Sequence, residues 1–416
     1  MIGLADRKVG DGHRQRRGAV DRLVVWGSRH RARSRPLAWF HAASVGEGLQ
    51  AESVLLELRR LVPTCQFVFT HFSPSAEPLA RRLDVDVADY LPYDRPAAAA
   101  RLLEALAPDL LVFAKVDLWP ELATRAARQG VTVAIVAGTV SDGSGRLRWP
   151  ARKLLAPGYQ AVRSAAAVAT DDARRLTLLG VPPERIQVLG DPRFDSVTER
   201  VRAVSPHDPL LSYGAGAPTL VAGSTWPGDE AVLLEAFARL RLQHEDARLI
   251  LAPHEPTADR LDSIERAAVR AGLPAAVRLS AAAGPASLLL VDRVGILAVL
   301  YGAGSMAYVG GGFGRAGLHS VLEPAAWGVP VVFGPRWNDS RDAALLIAAE
   351  AAEALPGPDA RAAVDRLHRR WLEWMEDEPG RQLQGRRAAQ VVDDGLGAAR
   401  RSAELLAALL PSRAKV

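Results

Sequence analysis

A single cysteine, Cys65, stands among 416 residues. No internal disulfide is available, a Cys-based zinc site is excluded, and a reducing compartment fits best. No apolar run approaches the roughly 18 to 20 residues that a spanning helix needs, and the opening residues lack the apolar core of a signal peptide. The chain has no G-x-S-x-G elbow, Walker loop or H-E-x-x-H, which weakens hydrolase and NTPase readings. Aromatic residues are scarce at 6%. Without a stacking platform or zinc-finger spacing, nucleic acid is disfavoured as a partner.

What is present describes a globular chain, with 49% apolar and 24% charged residues. The length exceeds one ordinary core, so two domains of roughly 150 to 200 residues are expected. Net charge is +5 and the pI is near 9.6. Much of the excess lies early, in Lys8, Arg14, Arg16, Arg17, Arg22, Arg29, Arg31 and Arg33 against Asp11 and Asp21. With Leu23, Val24, Val25 and Trp26 interleaved, the segment reads either as a solvated basic tail or as one lying on an anionic membrane surface.

Short apolar runs alternate with longer amphipathic ones: "LAWFHAAS" then "EGLQAESVLLELRRLV", "CQFVFTHF" then "SAEPLARRL", "DLLVFAKV" then "WPELATRAARQG", and "VTVAIVAG". Strand–helix alternation of this kind implies right-handed crossovers and a parallel sheet covered on both faces. After a Pro- and Gly-rich gap the rhythm resumes with "TLVAGST", "ARLILAPH", "SLLLVD", "MAYVGGG" and "VPVVFG", the last followed by a helical "DAALLIAAEAAEA". The expected fold is α/β, with two doubly wound Rossmann-like domains facing a central cleft. Residues 1–35 form a basic segment, 36–203 the first domain, 204–218 a linker, 219–395 the second domain and 396–416 a terminal helix. Ligands in such sheets bind beyond the carboxyl ends of the strands.

Several groups fall at those ends. Ser44 and Glu47 have the S-x-x-E spacing of a capping box, yet Glu47 also stands where a catalytic carboxylate would face the cleft. A helix amino terminus would keep it ionised, ready to take a proton from an incoming hydroxyl. In "FAKVDLWP", Lys115 and Asp117 leave a strand on the same side, either as a functional or as a merely structural charged pair. "LAPHEP" places His254 just after a strand. In "YVGGGFGRAGLHSVLEP", Gly311 and Gly312 would let backbone amides approach a phosphate, or else form a tight turn; His319 and Glu323 stand one helical turn apart. "DVDVADY" has D-x-D spacing, but its alternation more simply describes an edge strand. No metal and no cofactor is expected.

Taken in order, "HAASVGE", "FSPS", "YLPYD", "FAKVDLWPEL", "LLGVPPERIQVLGDPRFDSV", "GSTWPGDE", "APHEP" and "YVGGGFGRAGLHSVLEPAAWGVPVVFGP" resemble the bacterial 3-deoxy-D-manno-octulosonic acid (Kdo) transferases. These enzymes move Kdo from CMP-Kdo to the lipid A precursor lipid IVA. The resemblance implies a GT-B fold, an acceptor-binding first domain, a CMP-sugar-binding second domain and inverting transfer in lipopolysaccharide biosynthesis. It makes Glu47 the general base, puts Lys115, Asp117 and Arg193 on the acceptor side or cleft, and His254, Gly311, Gly312, His319 and Glu323 on the donor side. Many family members have two glutamates at Lys115 and Asp117, arginine at Pro253 and asparagine at Ser320. Members also commonly begin with a hydrophobic anchor. Peripheral attachment to the cytoplasmic face of the inner membrane is expected, through the basic segment or an anchor upstream of this start. The rival readings are a UDP-sugar-dependent GT-B enzyme and a catalytically silent paralogue that binds lipid or nucleotide.

Overall fold

The computed structural model describes residues 15–315, 317–357 and 359–411. Two compact units emerge, the first made of residues up to Ser196 together with those from Gly395 onward, the second of Val197–Asp394. The strands of the first are β1 Leu37–Ala42, β2 Gln66–His71, β3 Val87–Tyr90, β4 Leu110–Ala114, β5 Thr132–Gly138, β6 Ser164–Ala167 and β7 Ile186–Val188, in the order β3-β2-β1-β4-β5-β6-β7. All neighbours pair in parallel. Alternation along each strand feeds two cores: Leu37 and Trp39 of β1 point to one face with Leu111, Phe113, Val133 and Ile135, whereas Ala38, Phe40 and Ala42 point to the other with Leu110, Val112 and Ala134. Burial on both faces is why these strands read as near-continuous apolar runs.

In the second unit the strands are β8 Thr219–Thr225, β9 Arg248–Pro253, β10 Val277–Arg278, β11 Leu288–Leu290, β12 Met306–Val309, β13 Val331–Phe333 and β14 Ala352–Ala354, in the order β10-β11-β9-β8-β12-β13-β14. This sheet too is parallel throughout. Both units are thus doubly wound, with their order reversing between β1 and β4 and between β8 and β12.

The structure departs from the sequence pattern at four places. The "DAALLIAAEAAEA" stretch is helical only over Arg341–Ala348; Glu350 turns the chain at φ 55°, and Ala352–Ala354 becomes the edge strand β14. Pairing with β13 overrides the helix preference of alanine and glutamate. The expected linker belongs to the second unit and holds a short helix, Pro209–Gly214.

The terminal helix Ala398–Ala407 is part of the first unit, not a separate element, and buries Ala399, Ala403 and Leu406 beside Val54, Leu55 and Leu58 of helix Val45–Leu61. Asp195 accepts from the amides of Gly397 at 2.7 Å and Ala399 at 3.0 Å, so it caps that helix from about 200 residues away.

The basic segment is also more than a solvated tail. Helix Ala19–His30 packs Leu23 against Leu102, Leu103 and Leu106. Arg31, its side chain 1% exposed, donates to the carbonyls of Leu106 and Ala107. Arg16 bonds to Phe72 O, Arg22 forks onto Asp89, and Arg33 reaches Glu104 O. Lys8 and Arg14 lie outside the described residues. No helix among the described residues is long and apolar enough to cross a membrane.

Candidate active site

At the carboxyl end of the first sheet, β1 and β4 are the neighbours at which strand order reverses, the usual position for a ligand crevice in such sheets. Glu47 sits in the first turn of helix Val45–Leu61, which leaves β1. Its Oε2 accepts from the amides of Ala43 at 2.9 Å and Ser44 at 3.2 Å, closing the capping box with Ser44. Cap and reagent are not exclusive, because Oε1 has no hydrogen bond among the described residues. The two amides favour the ionised form, as a helix amino terminus should, but they do not set the direction of the shift. Burial pushes the half-buried carboxyl up and Asp117 adds to this, against the downward pull of Lys115 and of the two amides. A base whose pKa is raised toward the working pH is better matched to proton abstraction.

Lys115 and Asp117 do not continue β4 with a period of two. The strand ends at Ala114, and Lys115 takes φ 55°, a left-handed conformation that costs roughly 1 to 2 kcal/mol in a residue with a side chain. Its amide donates to Val136 O at 2.8 Å, while its ammonium has no ion pair among the described residues. Asp117 pairs with Arg146 rather than with Lys115. Arg193 is committed to Asp191 through Nε at 2.9 Å and Nη2 at 2.7 Å, and Gln50, one turn beyond Glu47, donates to the same carboxylate at 3.2 Å. Burial would raise Asp191, but Arg193 overrides it and holds the carboxyl low.

Motif spacing assigns no role to His41, on β1. Its Nδ1 lies 3.0 Å from Thr70 O, which only accepts, so Nδ1 carries the hydrogen. Nε2 is buried without a hydrogen-bond partner among the described residues. Burial holds this imidazole neutral, with its pKa lowered to about 3, and edge contacts to Phe113 and Trp119 fix the ring. Its place at the head of "HAASVGE" is the only sequence signal for it.

The second sheet ends in a different kind of site. Trp226 precedes helix Pro227–Arg241, His254 follows β9, and His319 lies in the loop after β12. His254 stacks on Trp226 at 4.9 Å and on His319 at 4.5 Å between ring centroids. Trp226 Nε1 donates to His319 Nε2 at 3.1 Å. Burial first, and His254 second, lower the His319 pKa to about 4.

Behind this stack the buried Asp229 accepts from Trp226 N at 2.9 Å, Gly311 N at 3.0 Å and the Tyr308 hydroxyl at 2.8 Å. The Gly311 amide, expected to meet a phosphate, is therefore already used. Both glycines have packing reasons to be there: Gly311 has φ 99° with Gly317 O against it, and a Cβ on Gly312 would come within 2.6 Å of Gly334 Cα. His319 lies ahead of the short helix Leu322–Ala326 and so shares no helical face with Glu323, which pairs with Arg200 at 3.2 Å.

Proline at the first helical position followed by Asp229 at the third marks a helix start in "TWPGD", a signal that would have picked out Asp229. In "DVDVADY", β3 is indeed an edge strand; Asp86 accepts from Phe67 N and Asp89 pairs with Arg22. Among the described residues no group of three or more His, Cys, Asp or Glu is placed to hold a metal.

Comparison with known proteins adds three findings. A family model described as 3-deoxy-D-manno-octulosonic-acid transferase (kdotransferase) matches residues 13–196. The chain is 30% identical to a 3-deoxy-D-manno-octulosonic acid transferase of Bordetella pertussis over 391 residues, covering 89% of this chain and 87% of that one. It is 25% identical to the protein of the same name from Haemophilus influenzae, covering 88% and 86%. Among solved structures, UDP-GlcNAc 2-epimerase from Neisseria meningitidis superposes with a TM-score of 0.63 at 11% identity, over 90% of this chain and 99% of that one. That likeness is one of fold, of GT-B type.

Proposed function

Since the chain belongs to the 3-deoxy-D-manno-octulosonic acid (Kdo) transferase family and is thereby a glycosyltransferase, we propose that it moves Kdo from CMP-Kdo to lipid IVA with Glu47 as the general base. The observation that carries the assignment of the base is the state of Glu47: one carboxylate oxygen fixed by two amides, the other without a hydrogen bond among the described residues, and a pKa raised by burial.

In the proposed reaction the acceptor hydroxyl loses its proton to Glu47 as its oxygen bonds to the anomeric carbon of Kdo. The bond from that carbon to the phosphate oxygen breaks, and its electron pair leaves with CMP. Attack opposite to the leaving group inverts the anomeric centre. Lys115, whose ammonium has no ion pair among the described residues, is assigned to an anionic group of the acceptor; the paired Asp117 and Arg193 shape the surroundings. His254 and His319 serve the donor, Glu323 its ribose hydroxyls, and Gly311 and Gly312 shape the turn beneath them. Peripheral attachment to the cytoplasmic face of the inner membrane is part of this reading, with Arg22, Val25, Arg29 and His30 exposed on helix Ala19–His30 beside Asp21 and Ser28.

The test is incubation of the purified protein with CMP-Kdo and a tetraacylated lipid A precursor in detergent, with product masses read directly. Gain of Kdo by the lipid with release of CMP is the expected result. Absence of transfer, together with selective binding of UDP over CMP, would replace this reading with that of a UDP-sugar enzyme.

A further inference from the structure

Three rings at the carboxyl end of the second sheet are locked together more tightly than a loose aromatic lining would be. An indole N–H only donates. With Trp226 Nε1 3.1 Å from His319 Nε2, that nitrogen must present its lone pair, and a neutral imidazole then carries its hydrogen on Nδ1. Nδ1 has no hydrogen bond among the described residues. The ring cannot easily turn: His254 stacks against it at 27°, and Gly311 walls it closely enough that a Cβ there would sit 3.2 Å from His319 Cδ2.

Resting on the donor-side reading of this unit, we infer that Trp226 is a positioning residue, which holds His319 in the tautomer whose Nδ1–H donates to an anionic oxygen of the nucleotide sugar. Phosphate and the Kdo carboxylate share that chemistry. The device supplies a hydrogen-bond donor without a fixed positive charge. Protonation of His319 is opposed by burial and by His254, and also by the indole hydrogen, which occupies the place a second proton would take. Among the described residues the titratable group facing His319 is His254, from the loop after β9; Trp226 and Gly311 bring no charge.

The experiment reads the tautomer first, with no substrate present. In the full chain labelled with nitrogen-15 histidine, and with signals assigned through His319→Gln, long-range nitrogen–proton correlations should show His319 hydrogenated at Nδ1. In Trp226→Phe, which keeps an aromatic ring but loses the donor, the population should move toward Nε2–H and the titration midpoint should rise. Wild-type His319 in the Nε2–H form, or an unchanged tautomer and midpoint in a folded Trp226→Phe protein, would overturn the inference. Should that variant not fold, the wild-type tautomer decides alone.

Calorimetry then identifies the anion. Loss of about tenfold in CMP affinity by Trp226→Phe, with cytidine unaffected, assigns the contact to phosphate; loss confined to CMP-Kdo assigns it to the carboxylate. Equal affinities of both proteins for CMP and CMP-Kdo would overturn the contact. Because the tautomer is read without turnover, a failure of Kdo transfer and a failure of this inference give different results.

Discussion

At the carboxyl end of the first sheet the polar groups are charged and mostly paired: Glu47 on two amides, Asp117 with Arg146, Asp191 with Arg193 and Gln50. At the same end of the second sheet a ring stack of Trp226, His254 and His319 lies by two buried carboxylates: Asp229, whose hydrogen bonds hold the turn in shape, and Glu230, which pairs with Arg260. Two parallel sheets of the same strand count thus end in differently built surroundings, charge pairs around a carboxylate in one and stacked rings in the other. The lesson is that the frame fixes where chemistry takes place, while the loops fix its kind. On the proposed reading the first end holds a proton acceptor whose pKa the neighbouring charges Lys115 and Asp117 tune. On the same reading an anion is met at the second by His319, whose pKa burial lowers.

This contrast can be broken from either side. The largest expected effect in stability is that of Asp229→Ala, which strands the amides of Trp226 and Gly311 and the Tyr308 hydroxyl. It should cost roughly 3 to 5 kcal/mol in the second unit and abolish CMP binding. Thermal melting followed by hydrogen exchange should find the first unit unchanged; equal loss in both units would show that Asp229 is not a local support.

Asp195→Ala removes the long-range cap of helix Ala398–Ala407 and should cost about 1 to 2 kcal/mol, confined to the first unit. Exchange rates of the Gly397 and Ala399 amides give the check.

Smaller and opposite in sign are the effects of the two charges near Glu47. A raised carboxyl pKa means that activity falls as pH drops through that pKa, because the base must be ionised. Lys115 lowers the Glu47 pKa, so Lys115→Met should move the acid limb of the pH–rate profile upward. Asp117 raises it, so Asp117→Asn should move the limb downward. Shifts of a few tenths of a pH unit to about one unit are expected; movement of both variants in the same direction would show that another group controls the limb.

Both sheets were legible because strands buried on both faces, such as "AWFHA" and "LLVFA", are nearly all apolar. The weaker strands were not: β6 is Ser-Ala-Ala-Ala and β14 is Ala-Glu-Ala, which reveal their conformation only through their neighbours. Glu47 could be placed at a strand end from spacing alone, but its raised pKa depends on burial and on Asp117, 70 positions along the chain. The link between Trp226 and His319 joins residues 93 apart, and the role of Asp229 depends on Gly311, 82 apart. Such pairings are tertiary facts, invisible to periodicity.

On the proposed reading Glu47 accepts the proton during Kdo transfer. The most direct test of that role is single-turnover transfer from CMP-Kdo to lipid IVA by wild type and Glu47→Gln, with CMP affinity measured on the same samples. The rate should be lower by about 10² to 10⁴ in the variant, with CMP affinity and melting temperature unchanged. A folded, CMP-binding variant that transfers at the wild-type rate would contradict it and leave Glu47 as the cap of its helix alone.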